Sequence, residues 1–390
     1  MTTHASWAEI NTSAFEDNYR FLNQLAPGAA DCVAVIKADA YGHSIAICAP
    51  AAVRAGAQWL AVASMPEALM ARQLCPAARI LALGGVLPGH GPTVVRNRIT
   101  PVLWTAQQID ELEDAAREAA LSAASVSIHL EIDTGMSRQG VGLDELPRIL
   151  TRFTPSSPLR IEALMTHLYA SDEDNGARTA QQYEKLNEAL SILQSTPAAA
   201  HLQYLSAGAS AALLGSDASE MAEIAQRFGL KPMLRLGLAL YGVAPRHIPQ
   251  LTAPAQRFLK PVLTWKTRVV SLRTIPGGTE IGYNGTFTAT EPMRLALIPA
   301  GYADGLDRKL SNRFSLLVRG ERAPLAGRIS MDMAVLDVTE IPGVETGDEV
   351  VILGTQADET TSAYDLADAS ETIPWEVFTR IGPRVARIAV

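Results

Sequence analysis

One lysine stands where a short apolar run gives way to small and polar residues, in the stretch DCVAVIKADAYGHS that begins at Asp31. The run Val33 to Ile36 predicts a buried strand with Lys37 at its end. Burial disfavours the ammonium form, and a neutral amine can attack a carbonyl to form a Schiff base. Tyr41 then offers a phenol, and Gly42 follows it. This loop indicates an aldehyde cofactor with a phosphate tail, such as pyridoxal phosphate.

Eight short apolar runs alternate with amphipathic stretches between Asp31 and about Tyr241. The runs are DCVAVIK, QWLAVAS, ARILAL, TPVLW, VSIHLEID, LRIEALMTH, HLQYLS and PMLRLGL. Stretches such as ARTAQQYEKLNEALSILQ lie between them and repeat apolar residues at the three- and four-residue spacing of a helix. Eight strand–helix alternations predict an α/β fold built on a parallel (β/α)₈ barrel of the TIM type.

The pattern changes after the barrel, at the proline-rich link GVAPRHIPQLTAPAQ. Beyond the link, strand patterns such as MRLALIPAGY, RFSLLVRG and EVVILG are separated by glycine-rich turns, which predicts a mainly antiparallel β domain. We therefore assign residues 13–243 to the barrel domain and residues 244–390 to the β-rich domain. The stretch ASWAEIN predicts that residues 1–12 form a strand joining the β-rich domain.

Polar residues follow several of the barrel strands, at the end where barrel enzymes carry their chemistry. They are Lys37 after the first strand, Arg138 after the fifth, His167 after the sixth, Ser206 at the seventh and Arg235 on the eighth, with Gly208 and Gly237 beside them. Each residue alone fits a structural role, since a lysine at a strand end is more often a solvated end-cap. Their convergence on one mouth indicates an anionic ligand, whose phosphate the small residues would accept.

Composition excludes several classes of partner. The net charge of −8 and the absence of a dense basic face argue against nucleic-acid binding. We see neither a secretory signal pattern nor a run of about 20 apolar residues, so we expect no membrane association. Three dispersed cysteines without a CxxC pair are typical of reduced thiols in the cytoplasm, and no ligand spacing predicts a metal site.

With these residues identified, the chain resembles the alanine racemase family along essentially its whole length. The motifs that carry the resemblance are AVIKADAYGHS, DTGMSRQG, MTH, YLSAGAS and MLRLGLALYG in the first part, and IGYNGTF, IPAGYADG and GRISMD in the second. The resemblance implies that Lys37 holds pyridoxal 5'-phosphate through a Schiff base and that Arg235 faces the pyridine nitrogen. It also implies phosphate binding by Tyr41, Ser206, Gly237 and Leu238, with His167 beside the ring.

The resemblance further implies a two-base racemase in which Lys37 and Tyr283 address opposite faces of the substrate, with Tyr283 supplied by a second copy in a homodimer. Arg138 and the main-chain N–H of Met331 would bind the amino-acid carboxylate. Supporting positions are Glu131, Tyr302 and Asp332, and the substrate channel would include Arg308, Arg328 and Asp172.

This chain departs from the family pattern at several places. Glu131 stands where many relatives carry a carbamylated lysine, and we expect its carboxylate to orient Arg138. Pro383 stands where relatives often place a tyrosine, which predicts more room beside the substrate side chain. Leu236 replaces a frequent proline, a change that we expect the backbone to tolerate.

The predicted function is interconversion of L-alanine and D-alanine, which supplies D-alanine for peptidoglycan or removes it in catabolism. One alternative is a racemase of broader specificity that accepts serine. Others are a decarboxylase or aldolase that uses pyridoxal phosphate on the same fold, and a non-catalytic carrier of that cofactor.

Overall fold

The computed structural model describes residues 5–171, 176–215, 217–246 and 258–390. It divides into two compact units. The barrel unit comprises Ser13–Ala40 and Cys48–Lys260, and the β unit comprises Met1–Thr12, Tyr41–Ile47 and Pro261–Val390. Residues 41–47 therefore group with the β unit, and the barrel unit extends beyond residue 243. Most of the proline-rich link lies outside the described residues.

Eight parallel strands close into a barrel in the order of the chain, which confirms the predicted fold class. The strands are almost wholly buried, as expected for parallel strands covered by helices. The first pairs with the last to close the ring, with Val33 opposite Arg235. The strands are β2 (Asp31–Val35), β3 (Trp59–Val62), β4 (Arg79–Ala82), β5 (Ile99–Leu103), β6 (Val126–Glu131), β7 (Leu159–Met165), β8 (Tyr204–Ala209) and β9 (Lys231–Leu236).

Helices follow most of the strands and bury one apolar face each. In the helix Ala106–Glu118 the buried residues include Ile109, Leu112 and Ala116, and Thr105 caps its first turn by accepting a hydrogen bond from the Gln108 N–H. The helices are α1 (Thr12–Leu25), α2 (Ile45–Arg54), α3 (Met65–Leu74), α4 (Gly91–Arg96), α5 (Ala106–Glu118), α6 (Leu146–Leu150), α7 (Ala177–Gln194), α8 (Ser210–Leu214) and α9 (Asp217–Arg227).

The barrel interior holds a polar cluster beside Trp59, towards the amino ends of the strands. The guanidinium of Arg79 lies 3.8 Å from the Trp59 ring centroid and 2.6 Å from Glu162 Oε2. The ring of His129 lies 5.5 Å from that of Trp59, and neither of its nitrogens has a hydrogen-bond partner among the described residues. Burial, followed by the positive charges of Arg79 and Arg235, lowers the pKa of His129 to about 3. His129 is therefore neutral at physiological pH.

The neutral state of His129 predicts acid sensitivity. The unfolded chain binds a proton at this histidine below about pH 6.5 and the folded chain does not, so the free energy of unfolding falls as the pH drops from about 6.5 towards 3. Each such histidine contributes up to about 1.4 kcal/mol per pH unit. Replacing His129 with leucine is expected to flatten this slope in urea titrations between pH 7 and 4.5. An equal slope in the His129→Leu variant and the wild-type protein would contradict the prediction.

The β unit is built from a seven-stranded sheet and two smaller ones, of three and two strands. Strand β1 (Ser6–Ile10) lies inside the large sheet, antiparallel to β10 (Leu263–Arg268) and parallel to β20 (Ala386–Ala389). The other strands are β11 (Ser271–Ile275), β12 (Glu280–Ile281), β13 (Phe287–Thr288), β14 (Met293–Ile298), β15 (Ser315–Val318), β16 (Glu321–Pro324), β17 (Ala334–Asp337), β18 (Glu349–Gln356) and β19 (Glu359–Thr361). Helices α10 (Ala363–Ala369) and α11 (Pro374–Arg380) complete the unit.

A small apolar core forms around the second and third sheets, from Ile275, Ile281, Met293, Leu295 and neighbouring residues. Most strand pairs in the β unit are antiparallel, in agreement with the predicted architecture. Over the described ranges of the whole chain, no helix is both long enough and apolar enough to cross a membrane.

Candidate active site

The backbone turns left-handed directly after the first barrel strand. Lys37 begins a short turn in which four consecutive residues have φ between 51° and 55°: Ala38, Asp39, Ala40 and Tyr41. Each non-glycine residue in this conformation costs about 1–2 kcal/mol. Such a run persists only where surrounding contacts impose it, and strain of this kind is concentrated at functional sites. The sequence pattern did not predict this turn.

Lys37 is half-buried at the start of this turn. Burial lowers the pKa of its amine, and the positive charges of Arg138 and Arg235 lower it further, while Glu67 acts in the opposite direction. Glu67 also accepts a hydrogen bond of 2.6 Å from the Ala38 N–H. The structure thus gives Lys37 the electrostatic surroundings that favour a neutral, nucleophilic amine.

Arg235 is buried and donates four hydrogen bonds. Its guanidinium donates hydrogen bonds to Ser206 Oγ at 2.6 Å, to the carbonyl of Thr166 at 2.9 Å and to His167 Nδ1 at 3.1 Å, with a further bond to Ala207. Burial lowers its pKa to about 10, against the opposing effect of Glu131, so the group keeps its charge at neutral pH. The barrel mouth therefore contains a fixed, buried cation.

His167 is held as a neutral acceptor by this cation. Because arginine can only donate, the bond to Arg235 makes Nδ1 the acceptor and leaves the imidazole proton on Nε2. Burial first, then Arg235, Arg138 and Lys37, lower the pKa of His167 to about 3. The ring consequently presents an N–H donor at neutral pH.

Glu131 is the buried carboxylate of the mouth, and Gln139 is its hydrogen-bond partner. Gln139 Nε2 donates to Glu131 Oε2 at 2.6 Å. The pKa of Glu131 is raised, because the effect of burial exceeds those of the hydrogen bond from Gln139 and of the charges of Arg235 and Arg138, which lower it. Arg138 is exposed, and its positive charge acts on the Glu131 carboxylate. Sequence analysis had missed Gln139, although it lies within the DTGMSRQG motif.

Replacing Glu131 with glutamine is therefore expected to raise the KM for the amino-acid substrate about 10-fold, since a hydrogen bond to a charged group is worth about 1.5–3 kcal/mol. The substitution removes the negative charge that faces two arginines and leaves kcat less affected. Steady-state kinetics of Glu131→Gln, with the exposed Glu118→Gln as control, would measure the effect. Identical KM values in the two variants would rule out a role for Glu131 in substrate binding.

The turn after β9 meets a serine that sequence analysis did not select. Ser210 Oγ accepts hydrogen bonds from the N–H groups of Gly237 at 2.9 Å and Ala239 at 3.4 Å. Ser206, the predicted phosphate ligand, instead contacts Arg235. Gly208 is a packing residue, because a Cβ there would lie 2.6 Å from Leu234 Cδ2. The hydroxyl next to the Gly237 main chain is thus that of Ser210, and the repeated serine in YLSAGAS was the available signal.

Two predicted residues in the β unit are unusually exposed for their types. Tyr283 has 68% of its surface accessible and Met331 has 52%. Tyr283 and Arg328 also line a surface cavity of about 390 Å³. Tyr302 is 45% exposed, and its N–H donates to Ser330 next to Met331. These side chains are therefore accessible to a partner.

Two further predicted residues, Tyr41 and Asp332, lie in the β unit. Burial raises the pKa of the Tyr41 phenol to about 12. Asp332 forms an ion pair with Arg384 at 2.7 Å. Asp172 lies outside the described residues. Within the described ranges no group of three or more His, Cys, Asp or Glu side chains is arranged to hold a metal ion.

The site thus consists of a lysine of lowered pKa after the first barrel strand, with a buried arginine and a neutral histidine in the same unit of an eight-stranded α/β barrel. Two family models, "Alanine racemase, N-terminal domain" and "Alanine racemase, C-terminal domain", match residues 10–245 and 262–389. The alanine racemase of Halothermothrix orenii is 36% identical, and the match covers 99% of this chain and 97% of that protein.

Solved structures agree with these matches. Alanine racemase from a D-cycloserine-producing Streptomyces lavendulae is 32% identical, with a TM-score of 0.90 over 100% of this chain and 98% of that one. The Bartonella henselae alanine racemase, solved with covalently bound pyridoxal phosphate, is 29% identical, with a TM-score of 0.81 over 99% of both chains. The chain belongs to the alanine racemase family and is an isomerase.

Proposed function

We propose that this protein interconverts L-alanine and D-alanine with pyridoxal 5'-phosphate as cofactor. The observation that carries the proposal is Lys37, an amine of lowered pKa at the end of the first barrel strand. It stands in a chain that matches the alanine racemases over nearly its full length. The similarity therefore extends over both the barrel unit and the β unit.

The residues of the barrel unit fit pyridoxal phosphate. Lys37 supplies the amine for its aldehyde, and Ser210 with the main chain of Gly237 and Leu238 supplies a hydroxyl and N–H groups of the kind that bind phosphate. Tyr41 would add a protonated phenol, because burial keeps its pKa near 12. When bound, the cofactor supplies an electron-withdrawing ring that makes the Cα proton of an amino acid acidic.

Arg235 would control how strongly the cofactor ring withdraws electrons from the substrate. With a pKa of about 10 Arg235 keeps its protons at neutral pH, so it would offer the ring nitrogen a hydrogen bond and no proton. An unprotonated ring nitrogen withdraws electrons weakly, which restrains side reactions such as transamination. The same residue argues against a decarboxylase, in which an acid characteristically faces this nitrogen.

Racemisation requires one group that removes the Cα proton from one face and another that returns a proton to the opposite face. We assign these steps to Lys37 Nζ and to Tyr283 Oη of a second copy. The exposure of Tyr283 and Met331 supports this assignment, because both side chains are accessible for insertion into another protomer. Arg138 and the main-chain N–H of Met331 would bind the substrate carboxylate. The proposal therefore includes a homodimer whose sites are shared.

Pro383 bears on which substrates are accepted, because it is exposed and carries no hydroxyl. A racemase that also accepts serine is the second candidate, and the missing tyrosine is the observation that favours it. We place the enzyme in the cytoplasm, where it would provide D-alanine for peptidoglycan or feed its catabolism.

A chiral assay of the protein loaded with pyridoxal phosphate tests the function. We expect an absorbance band typical of a lysine Schiff base and equal final amounts of D- and L-alanine from either enantiomer. L-Serine and larger amino acids in the same panel would separate the two candidates. A protein that stays colourless with the cofactor, or that binds it and converts no amino acid, would refute the proposal.

A further inference from the structure

A turn near the carboxyl end of the β unit gathers an unusual number of hydrogen bonds. We call residues 381–387 the C-terminal turn. It connects α11 to β20 and contains two arginines, Arg384 and Arg387, which contact different segments of the β unit. Both segments contain residues of the proposed site, and sequence analysis singled out neither arginine.

Arg387 binds four main-chain carbonyls. Its Nε donates to Gly42 at 2.9 Å, and its two terminal nitrogens donate to Gly382 at 2.6 Å, Val385 at 2.7 Å and Ile381 at 2.5 Å. Three of these carbonyls belong to the C-terminal turn itself. The fourth belongs to Gly42, which directly follows the left-handed run. One guanidinium thus fixes the end of the strained segment to the C-terminal turn.

Two other contacts restrict the same segment. Gly42 has φ of 76°, and a Cβ there would lie 2.2 Å from the main-chain oxygen of Phe378. The ring of His43 lies 4.8 Å from that of Phe378, and its Nδ1 lies 2.8 Å from the Tyr41 carbonyl. Gly42 and His43, which directly follow the left-handed run, are therefore packed against Phe378 of α11.

Arg384 holds the second segment. It donates to Asp332 at 2.7 Å and to both carboxylate oxygens of the buried Asp304, at 3.0 and 3.2 Å. Asp304 in turn accepts the N–H of Gly301 at 2.9 Å. A Cβ at Gly301 would lie 2.3 Å from the carbonyl oxygen of Met331, so the two chain segments are in close contact. Arg384 therefore links the loop around Met331 to the strand end that supports it.

We propose that the C-terminal turn is a positioning element for two separate parts of the site. Arg387 sets the segment that carries the Tyr41 phenol, and Arg384 sets the loop that carries the Met331 N–H. This inference rests on the proposed function, which gives Tyr41 to the cofactor phosphate of its own chain and Met331 to the substrate carboxylate in the partner. The two arginines therefore affect different binding steps, although only two residues separate them in sequence.

The test uses two methionine variants, which keep side-chain length and remove the donors. Arg387→Met is expected to weaken binding of pyridoxal phosphate about 10-fold, measured by titrating the Schiff-base absorbance of the cofactor-free dimer. Arg384→Met is expected to bind the cofactor as the wild type does and to raise the KM for alanine about 10-fold, with a smaller change in kcat. Arg322→Met is the matched control, because Arg322 pairs with Glu359 and a carbonyl elsewhere in the β unit.

Hydrogen exchange gives a readout that needs no activity. Without cofactor, Arg387→Met should speed amide exchange in residues 37–44 and not in residues 329–333, and Arg384→Met should do the reverse. If Arg387→Met does not fold, Gly42→Ala tests the same segment, because its Cβ displaces the contact with Phe378. Indistinguishable effects of the two arginine variants, or wild-type behaviour in both, would overturn the inference. A wild-type protein that neither binds the cofactor nor racemises alanine would refute the proposed function instead, and the exchange pattern would still decide the positioning role.

Discussion

The Lys37→Ala protein is expected to racemise alanine at least about 10³-fold more slowly than the wild type, because the substitution removes both the amine that binds the aldehyde and one of the two proton-transfer groups. The absorbance band of the Schiff base should disappear. Lys37 is half-buried at the start of a strained turn, and no other lysine lies on the barrel strand before it. We therefore expect no neighbouring amine to replace it.

Chiral chromatography of alanine after incubation with each variant measures this loss. Lys231→Ala is the matched control, since Lys231 stands at the amino end of β9 and pairs with Asp31. It should retain activity and the absorbance band. Added methylamine should restore a fraction of the activity of Lys37→Ala if the missing group acts as a base. Racemisation by Lys37→Ala at more than a tenth of the wild-type rate would contradict the assigned role.

The second large effect is expected from Tyr283→Phe. Removing one hydroxyl should lower the racemisation rate about 10²–10⁴-fold, the usual contribution of a positioned acid–base group. The side chain is 68% exposed in the chain described here, so the melting temperature should stay within about a degree of the wild-type value. A large kinetic loss without a loss of stability would identify Tyr283 as a functional group.

Exchange of the Cα hydrogen with deuterated water distinguishes the two bases. With Lys37 intact and the Tyr283 hydroxyl absent, one enantiomer of alanine should exchange its Cα hydrogen and the other should not. Tyr204→Phe, at the amino end of β8, serves as a control that should exchange both. Equal exchange of both enantiomers by Tyr283→Phe would show that another group serves the second face.

Sequence predicted the barrel well because its strands carry a strong local signal. Each strand is short and rich in apolar residues, as in Trp59–Val62, and the helix Ala106–Glu118 repeats its buried apolar residues at helical spacing. The structure places Lys37 shortly after β2 and Arg235 near the end of β9, where the sequence pattern puts them.

The left-handed turn after Lys37 could not be predicted from the sequence. Alanine disfavours positive φ and aspartate adopts it only occasionally, so the letters ADAY do not indicate a left-handed turn. Phe378 and Arg387, far along the chain, contact Gly42, which directly follows the turn. Similarly, nothing local distinguishes Ser210 from Ser206; only the fold shows which hydroxyl meets Gly237.

The contacts of His129 and Glu131 with charged and polar residues could not be predicted from the sequence either. His129 lies in an apolar strand pattern, and its burial, followed by the positive charges of Arg79 and Arg235, makes it a neutral, acid-sensitive group. Gln139 follows Arg138 directly, yet its side chain reaches back to Glu131 across the loop. Pairings of this kind depend on loop geometry, which periodicity does not encode.

The place of β1 in the large sheet has a consequence for biosynthesis. This strand is made early, but its two neighbours, β10 and β20, are translated only after the whole barrel sequence. The nascent chain must therefore carry β1 with both edges unpaired while the ribosome completes the barrel. The large sheet can be finished only when translation has passed β20, so truncation there would leave β1 with one open edge.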